Sequence, residues 1–184
     1  RAYTLICEEP PMGVVLHGDH RCVPDGSAFD VVCAFEVLEH VEDDRDELAA
    51  WTKHVAPGGG LVLSVPAWPT RYGPHDEQAG HLRRYTPEQV RGLLAGVGLC
   101  NIQIDLIGWP IGGALELARN AVACARRTRT VSQTNAERTA ASARFLHLQG
   151  PVGARAIASL AHPFKSLQRR RPMSGICIVA SASA

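Results

Sequence analysis

Apolar residues in this chain fall into short blocks, and the blocks alternate between strand-like and helix-like spacing. Tyr3–Cys7 and Val14–Leu16 read as short strands, the first ended by Glu8, Glu9 and the Pro10-Pro11 breaker. After the turn cluster Pro24-Asp25-Gly26-Ser27, Phe29–Phe35 is a near-continuous apolar run of the kind buried on both faces of a parallel sheet. From about Asp44 to Val55 the spacing turns helical, with Leu48, Ala49, Trp51, Thr52 and Val55 inward, and Pro57-Gly58-Gly59-Gly60 stops it. Leu61–Val65 is a further buried strand. The span 67–85 is polar, broken by Gly and Pro and rich in histidine; as a loop it is too long for a plain connection. Thr86-Pro87-Glu88-Gln89 is a helix start, with Thr86 as N-cap and Pro87 in the first turn, and that helix runs to about Ala95. Leu99–Ile107 predicts a strand, 111–127 a helix, and Ser174–Ala180 the last strand.

Strands alternating with helices predict an α/β class: a Rossmann-like, mostly parallel sheet with flanking helices. The helical stretch before the last strand has the character of an inserted cap. The expected organisation is an α/β core over 1–109, a helical cap over 110–171, and a final core strand with its tail over 172–184.

With 184 residues, 46% of them hydrophobic and 20% charged, the chain has the composition of one soluble globular domain. A formal net charge of +1 singles out no partner, and no nucleic acid is expected. Acidic residues gather between Glu36 and Glu47, while Arg126, Arg127, Arg129, Arg138, Arg144, Arg155, Lys165 and Arg169–Arg171 make the last third basic; a solvated helix surface is the preferred explanation. The apolar stretch Ile104–Leu117 is too short and too broken to span a membrane, and contact with a membrane surface ranks below plain cap packing. None of the six cysteines (Cys7, Cys22, Cys33, Cys100, Cys124, Cys177) forms a C-x-x-C pair, so they are expected as reduced core residues of a cytoplasmic protein. A chain opening on Arg1 and showing no signal peptide reads as part of a longer frame.

The run Phe29-Asp-Val-Val-Cys-Ala-Phe-Glu-Val-Leu-Glu-His-Val41 resembles the fourth-strand signature of class I S-adenosylmethionine-dependent methyltransferases of the methyltransferase-11/23 type. Ala56-Pro-Gly-Gly-Gly-Leu-Val-Leu-Ser-Val-Pro66 and Gly80-His-Leu-Arg-Arg-Tyr-Thr86, ahead of a helix ending at Gly96-Val-Gly-Leu99, follow at matching distances. The resemblance covers roughly Gly18 to Ile107. It implies S-adenosylmethionine as cofactor, with Asp19 on the adenine amino group and His20 beside it. It places Phe35 and Glu36 along the methionine side, and Glu8 or Glu9 on the ribose hydroxyls, although an exposed turn carboxylate explains those glutamates equally well. The family's first strand and its glycine-rich D/E-x-G-x-G-x-G loop are missing, so the likeness is to an N-terminally incomplete member.

Glu36, Glu39 and His40 stand at i, i+3 and i+4, positions that share a helix face. They resemble the E-x-x-E-H site of magnesium-dependent O-methyltransferases such as small-RNA ribose methyltransferases and those of ubiquinone synthesis, with His81 at the place of the further histidine. The resemblance implies Mg²⁺ on Glu36, Glu39, His40 and His81, lowering the pKa of a substrate hydroxyl. Alternatively His40 packs and His81 orders the loop. Without a metal, His40 or His81 fits a general base. His75, Asp76 and Glu77 offer groups to position substrate, with an ordinary solvated loop the preferred expectation, and Arg83, Arg84 and Tyr85 are expected to hold the loop down.

The expected function is therefore methyl transfer to a small-molecule acceptor, at a hydroxyl oxygen. Two rivals stand beside it: a degenerate, non-catalytic methyltransferase-like fragment acting as a binding module, which the missing loop favours, and a dinucleotide-binding oxidoreductase, which the lack of a G-x-G-x-x-G disfavours.

Overall fold

A computed structural model describes residues 20–127 and 175–184. Element order is β1 (Phe29–Phe35), α1 (Asp44–Thr52), β2 (Val55–Pro66), α2 (Pro74–Ala79), α3 (Pro87–Gly96), β3 (Cys100–Ile107), α4 (Ile111–Arg127) and β4 (Cys177–Ser183), with single 3₁₀ turns at His20–Cys22, Leu38–His40 and Pro69–Arg71. The sheet order is β1-β2-β4-β3. β1 and β2 pair in parallel, while β4 runs antiparallel to both its neighbours. Three strands thus share one direction, and the reversed β4 lies between two of them. Carboxyl ends of β1, β2 and β3 meet the amino end of β4 on one rim, where Phe35 pairs with Ser64 and Cys177 faces both Pro66 and Ile107.

Local chemistry explains the helices. Asp43 caps α1 by accepting from Asp46 N at 3.3 Å, and Asp44, Asp46 and Glu47 load its first turn with the charge that the helix dipole favours. α3 has a capping box: Thr86 Oγ1 accepts from Gln89 N at 3.2 Å, and Gln89 Oε1 accepts from Thr86 N at 2.8 Å. Each helix buries one face, Leu48 and Trp51 from α1, Val90 and Leu94 from α3, against Leu61, Leu63, Val65 and Ile178 of the sheet.

Several expectations need correction. β1 is not buried on both faces: only Ala34 is buried, and Phe29, Val31 and Phe35 are 47%, 56% and 58% exposed. It is the edge strand of the described sheet, so an apolar run alone does not report cover on both sides. Val55 does not close α1; it opens β2 opposite Phe29, and the Gly58–Gly60 segment is a register break inside β2 rather than a helix stop. The 67–85 span is not all loop, because it contains α2. The cysteines are free as expected, yet Cys22, Cys33, Cys100 and Cys124 are exposed and Cys177 is intermediate, so these five are not core residues; Cys7 lies outside the described residues. Of the cap expected over 110–171, α4 is described as helix and 128–171 lie outside.

Close packing of β3 against the approach to β4 yields a first prediction. A Cβ on Gly175 would stand 2.5 Å from Ile107 N and 2.5 Å from Leu106 C, backbone atoms that cannot swing aside. Gly175→Ala is expected to destabilise the fold by about 1–3 kcal/mol, read as a lower midpoint in urea unfolding.

Candidate active site

The rim at the carboxyl ends of the strands gathers the candidate chemistry. β1 is followed at once by Glu36, which adopts φ 54, a left-handed conformation that non-glycine residues seldom hold. Two contacts fix it there: Glu36 N donates to Ser64 O at 3.0 Å, and Ser64 Oγ donates to Glu36 Oε1 at 2.8 Å. Cys177 Sγ lies 3.4 Å from the same carboxylate oxygen. Burial, then the charge of Glu36, pushes the Cys177 thiol up to about 12, so it stays protonated and is no nucleophile at neutral pH.

The chain then turns through Leu38–His40. Backbone bonds pin a second segment over this turn: Leu82 N donates to Glu39 O at 2.8 Å, Tyr85 N to Pro66 O at 3.0 Å and Trp68 N to Tyr85 O at 2.8 Å. His81 is thereby brought against Glu39 and His40. The imidazole rings of His40 and His81 meet edge to face with centroids 4.8 Å apart. Their Nε2 atoms stand 3.9 and 3.8 Å from Glu39 Oε1. Glu39, His40 and His81 each offer a ligand atom within 4.8 Å of the others.

Both imidazoles have a defined tautomer. Nδ1 of His40 faces Gly80 O at 3.0 Å, and a carbonyl only accepts, so Nδ1 carries the hydrogen and Nε2 the lone pair of the neutral ring. Burial is the main cause holding His40 below the usual imidazole range, which favours that neutral form. Nδ1 of His81 likewise faces Asp76 Oδ1 at 2.8 Å. Glu39 is fully buried, and neither of its oxygens has a hydrogen-bond partner among the described residues. Burial, reinforced by the charges of Glu36 and Asp76, pushes its carboxyl up to about 8. A buried carboxyl without a hydrogen-bond partner among the described residues, flanked by two Nε2 atoms, fits a divalent cation: the cation would displace the carboxyl proton and supply the missing partner, and each Nδ1–H is already committed to an acceptor, as ligand imidazoles usually are.

Behind His81 lies a buried ionic network. Asp76 accepts from Gly73 N (2.8 Å), from Arg84 Nη2 (2.8 Å) and Nε (2.9 Å), and from His81 Nδ1. Burial alone would raise the Asp76 carboxyl; the bonds from His81, Arg84 and Gly73 outweigh it and hold the group at about 2. Arg84 Nη1 also pairs with Glu116 of α4, and Arg71 Nη2 lies 2.5 Å from Glu116 Oε2, an ion pair without hydrogen-bond alignment.

Set against the expected site residues, the structure brings together Glu39, His40 and His81, while Glu36 is engaged by Ser64 and Cys177 instead. His20 Nδ1 pairs with Glu47 Oε1 at 2.8 Å, and Phe35 presents an exposed ring at the rim. Glu8, Glu9 and Asp19 lie outside the described residues. Asp76 is not part of a solvated loop: it sits in α2 and is fully buried. Arg83 and Tyr85 do hold the segment down, donating to Asp44 Oδ2, each at 3.1 Å. Glu116 was not anticipated; its only signal is a lone carboxylate in the otherwise apolar start of α4. A cavity of about 560 Å³ is lined by Asp44, Arg45, Arg83, Arg84, Gln89 and Gly96 among others, and by none of Glu39, His40 and His81. No helix among the described residues is long and apolar enough to cross a membrane.

The described residues thus form an open α/β sheet with a reversed strand among parallel ones, and an acid–imidazole cluster over the carboxyl rim, the place where open α/β sheets generally bind ligands. The chain belongs to the methyltransferase domain family, whose model matches residues 9–104 of the 184. Over 50 residues it is 46% identical to the mitochondrial ubiquinone biosynthesis O-methyltransferase of Schizosaccharomyces pombe, a match covering 27% of this chain and 18% of that protein. Among solved structures it is similar to an S-adenosylmethionine-dependent methyltransferase from Archaeoglobus fulgidus (14% identity, 90% of this chain and 63% of that one, TM-score 0.46). It is also similar to Haemonchus contortus phosphoethanolamine N-methyltransferase 2 in complex with S-adenosylmethionine (13% identity, 84% and 33% covered, TM-score 0.43).

Proposed function

We propose that this chain carries part of an S-adenosylmethionine-dependent methyltransferase that methylates a hydroxyl oxygen of a small molecule, with the acceptor held at Glu39, His40 and His81. The observation that carries this reading is the Glu39 carboxyl, buried without a hydrogen-bond partner among the described residues, between two imidazoles whose Nε2 atoms face it. Family membership supports the methyl-transfer chemistry, and the short likeness to a ubiquinone-pathway O-methyltransferase supports oxygen as the acceptor atom. In this reading Phe35 and Glu36 border the methionine end of the cofactor, while Glu8 or Glu9, Asp19 and His20 serve its nucleoside.

The proposed cation ligands are Glu39, His40 and His81. Since Glu36 is held by Ser64, the set is one carboxylate and two imidazoles, which suits Mn²⁺, Co²⁺ or Zn²⁺ better than Mg²⁺ with its preference for oxygen. A bound divalent ion would lower the pKa of the acceptor hydroxyl. The chain's own groups then orient that hydroxyl toward the sulfonium methyl, and the buried surroundings of Glu39 limit water. A metal-free reading is favoured by one contact: Asp76 on His81 Nδ1 leaves Nε2 as a general base for the same hydroxyl.

Calorimetric titration of the full chain with S-adenosylmethionine, and separately with Mn²⁺, tests the proposal. Saturable heat is expected in both, and His81→Ala is expected to weaken Mn²⁺ binding by about 100-fold. A folded chain giving no heat with S-adenosylmethionine would favour the binding-module alternative. Binding of the cofactor but not of Mn²⁺ would favour the general-base reading.

A further inference from the structure

Three charged side chains, Glu116, Arg84 and Asp76, link α4 to His81, and a fourth, Arg71, flanks Glu116. Glu116 is 7% exposed, and its carboxylate pairs with Arg84 Nη1 and lies against Arg71. Arg84, itself buried, turns its other edge to Asp76 through two bonds, Nε to Oδ1 and Nη2 to Oδ2. Asp76 in turn takes the Nδ1–H of His81. The guanidinium is a rigid planar fork, so it cannot turn for one partner without turning for both. Asp76 accepts four bonds, two on each oxygen, and has no idle lone pair with which to absorb a shift.

The same helix is docked independently on both sides of Asp76. Asn120 Oδ1 accepts from His75 N at 3.0 Å, and Gln78 Nε2 donates to Ala123 O at 2.8 Å. At Gly73, whose N–H binds Asp76, a Cβ would come 3.0 Å from Asn120 Oδ1, so α4 approaches as closely as that backbone allows. Two arginines and two carboxylates balance in charge, which is what lets the network remain buried.

From this arrangement we infer that Glu116 is a positioning residue: through Arg84 and Asp76 it fixes the ring orientation and tautomer of His81, making the acid–imidazole cluster dependent on the docking of α4. This rests on the proposed function only in taking His81 as a functional imidazole. Without the Glu116 carboxylate, Arg84 keeps at Nη1 only the longer bond to Ala67 O, at 3.3 Å, and has Asp76 as its one remaining charged partner among the described residues, so the acceptor that orients His81 moves with it. His40, whose Nδ1–H goes to Gly80 O, lies off this path.

The test uses the full chain, ¹⁵N-labelled, with long-range proton–nitrogen spectra of the histidine rings assigned through His40→Gln and His81→Gln. Glu116→Gln is expected to shift the His81 ring nitrogens and mix its tautomers, while His40, in ring contact with His81 but with its Nδ1–H held by Gly80 O, keeps its tautomer and shifts less, and to weaken Co²⁺ binding by about tenfold, with an altered visible spectrum of the bound ion. Glu116→Asp is expected to restore part of both. Leu117→Ala, exposed on the same helix, is expected to change neither. His81 signals and Co²⁺ affinity unaltered in folded Glu116→Gln would overturn the inference. Should the wild-type chain take up no Co²⁺, the metal reading fails, and the His81 signals still decide the role of Glu116. If Glu116→Gln does not fold, Asn120→Ala loosens α4 with every charge in place; the same selective His81 shift is expected, and its absence counts against the inference.

Discussion

Asp76→Asn is expected to destabilise the folded chain by about 3–5 kcal/mol, the range for breaking one side of a buried ion pair. The shape is conserved, so the effect isolates charge and hydrogen-bond polarity. Four donors converge on the carboxylate: Gly73 N, two guanidinium nitrogens of Arg84 and Nδ1 of His81. An amide offers one acceptor oxygen and an NH₂ group that points hydrogens at hydrogens. Arg84 would be left with Glu116 as its sole carboxylate. Urea unfolding at neutral pH measures the loss. Acidification supplies a second check. Because the folded-state group, at about 2, lies below its ordinary value of 3.8, its contribution is fully present above that value and disappears as pH falls toward 2. The wild type should lose stability across this window more steeply than Asp76→Asn, which has nothing to titrate there.

Glu39→Gln should act in opposite directions on binding and on stability. Loss of the lone carboxylate from the donor set is expected to weaken Mn²⁺ binding by about 100-fold or more, measured by calorimetry. Metal-free stability should rise at alkaline pH. Burial holds the Glu39 carboxyl at about 8 against an ordinary 4.5. With the folded-state value raised, the favourable contribution is complete below 4.5 and is lost as pH climbs through 8, a loss of about 5 kcal/mol at most. The amide does not titrate, and its NH₂ can donate to the Nε2 atoms that face it. At pH 9, without metal, the variant is therefore expected to unfold at higher urea than the wild type, and added Mn²⁺ should stabilise the wild type alone. A wild type as stable as the variant under those conditions would show that Glu39 is not an unpartnered charge.

Much of this architecture was legible locally. β1 and β3 fall almost where their apolar runs place them, and α3 starts at Pro87 because Thr86 and Gln89 spell its cap in sequence. α2 was not legible: it has six residues of polar composition, and its support comes from the Asp76 bond to Gly73 N and from α4, a remote partner. The site divides in the same way. Glu39, His40 and His81 were found by pattern and do converge. Glu36 was grouped with them on helical spacing, but that spacing needs a continuous helix. With Glu36 at φ 54 and the turn starting only at Leu38, its carboxylate leaves for Ser64. The Arg84–Glu116 contact spans 32 positions, and a buried pair formed at that distance leaves no periodic trace.

The reversed β4 between β2 and β3 also orders assembly in time. β3 leaves the ribosome well ahead of 177–183, yet among the described residues its sheet bonds are to β4 alone, and β2 reaches it only across that strand. A nascent chain holding everything through α4 can close the β1–β2 pair and dock its helices, while β3 waits for β4, its one partner among the described strands. Completion of the sheet must then follow synthesis of the entire intervening segment, and until that moment the backbone of β3 is an open edge to which a chaperone, or another copy of the chain, can bind.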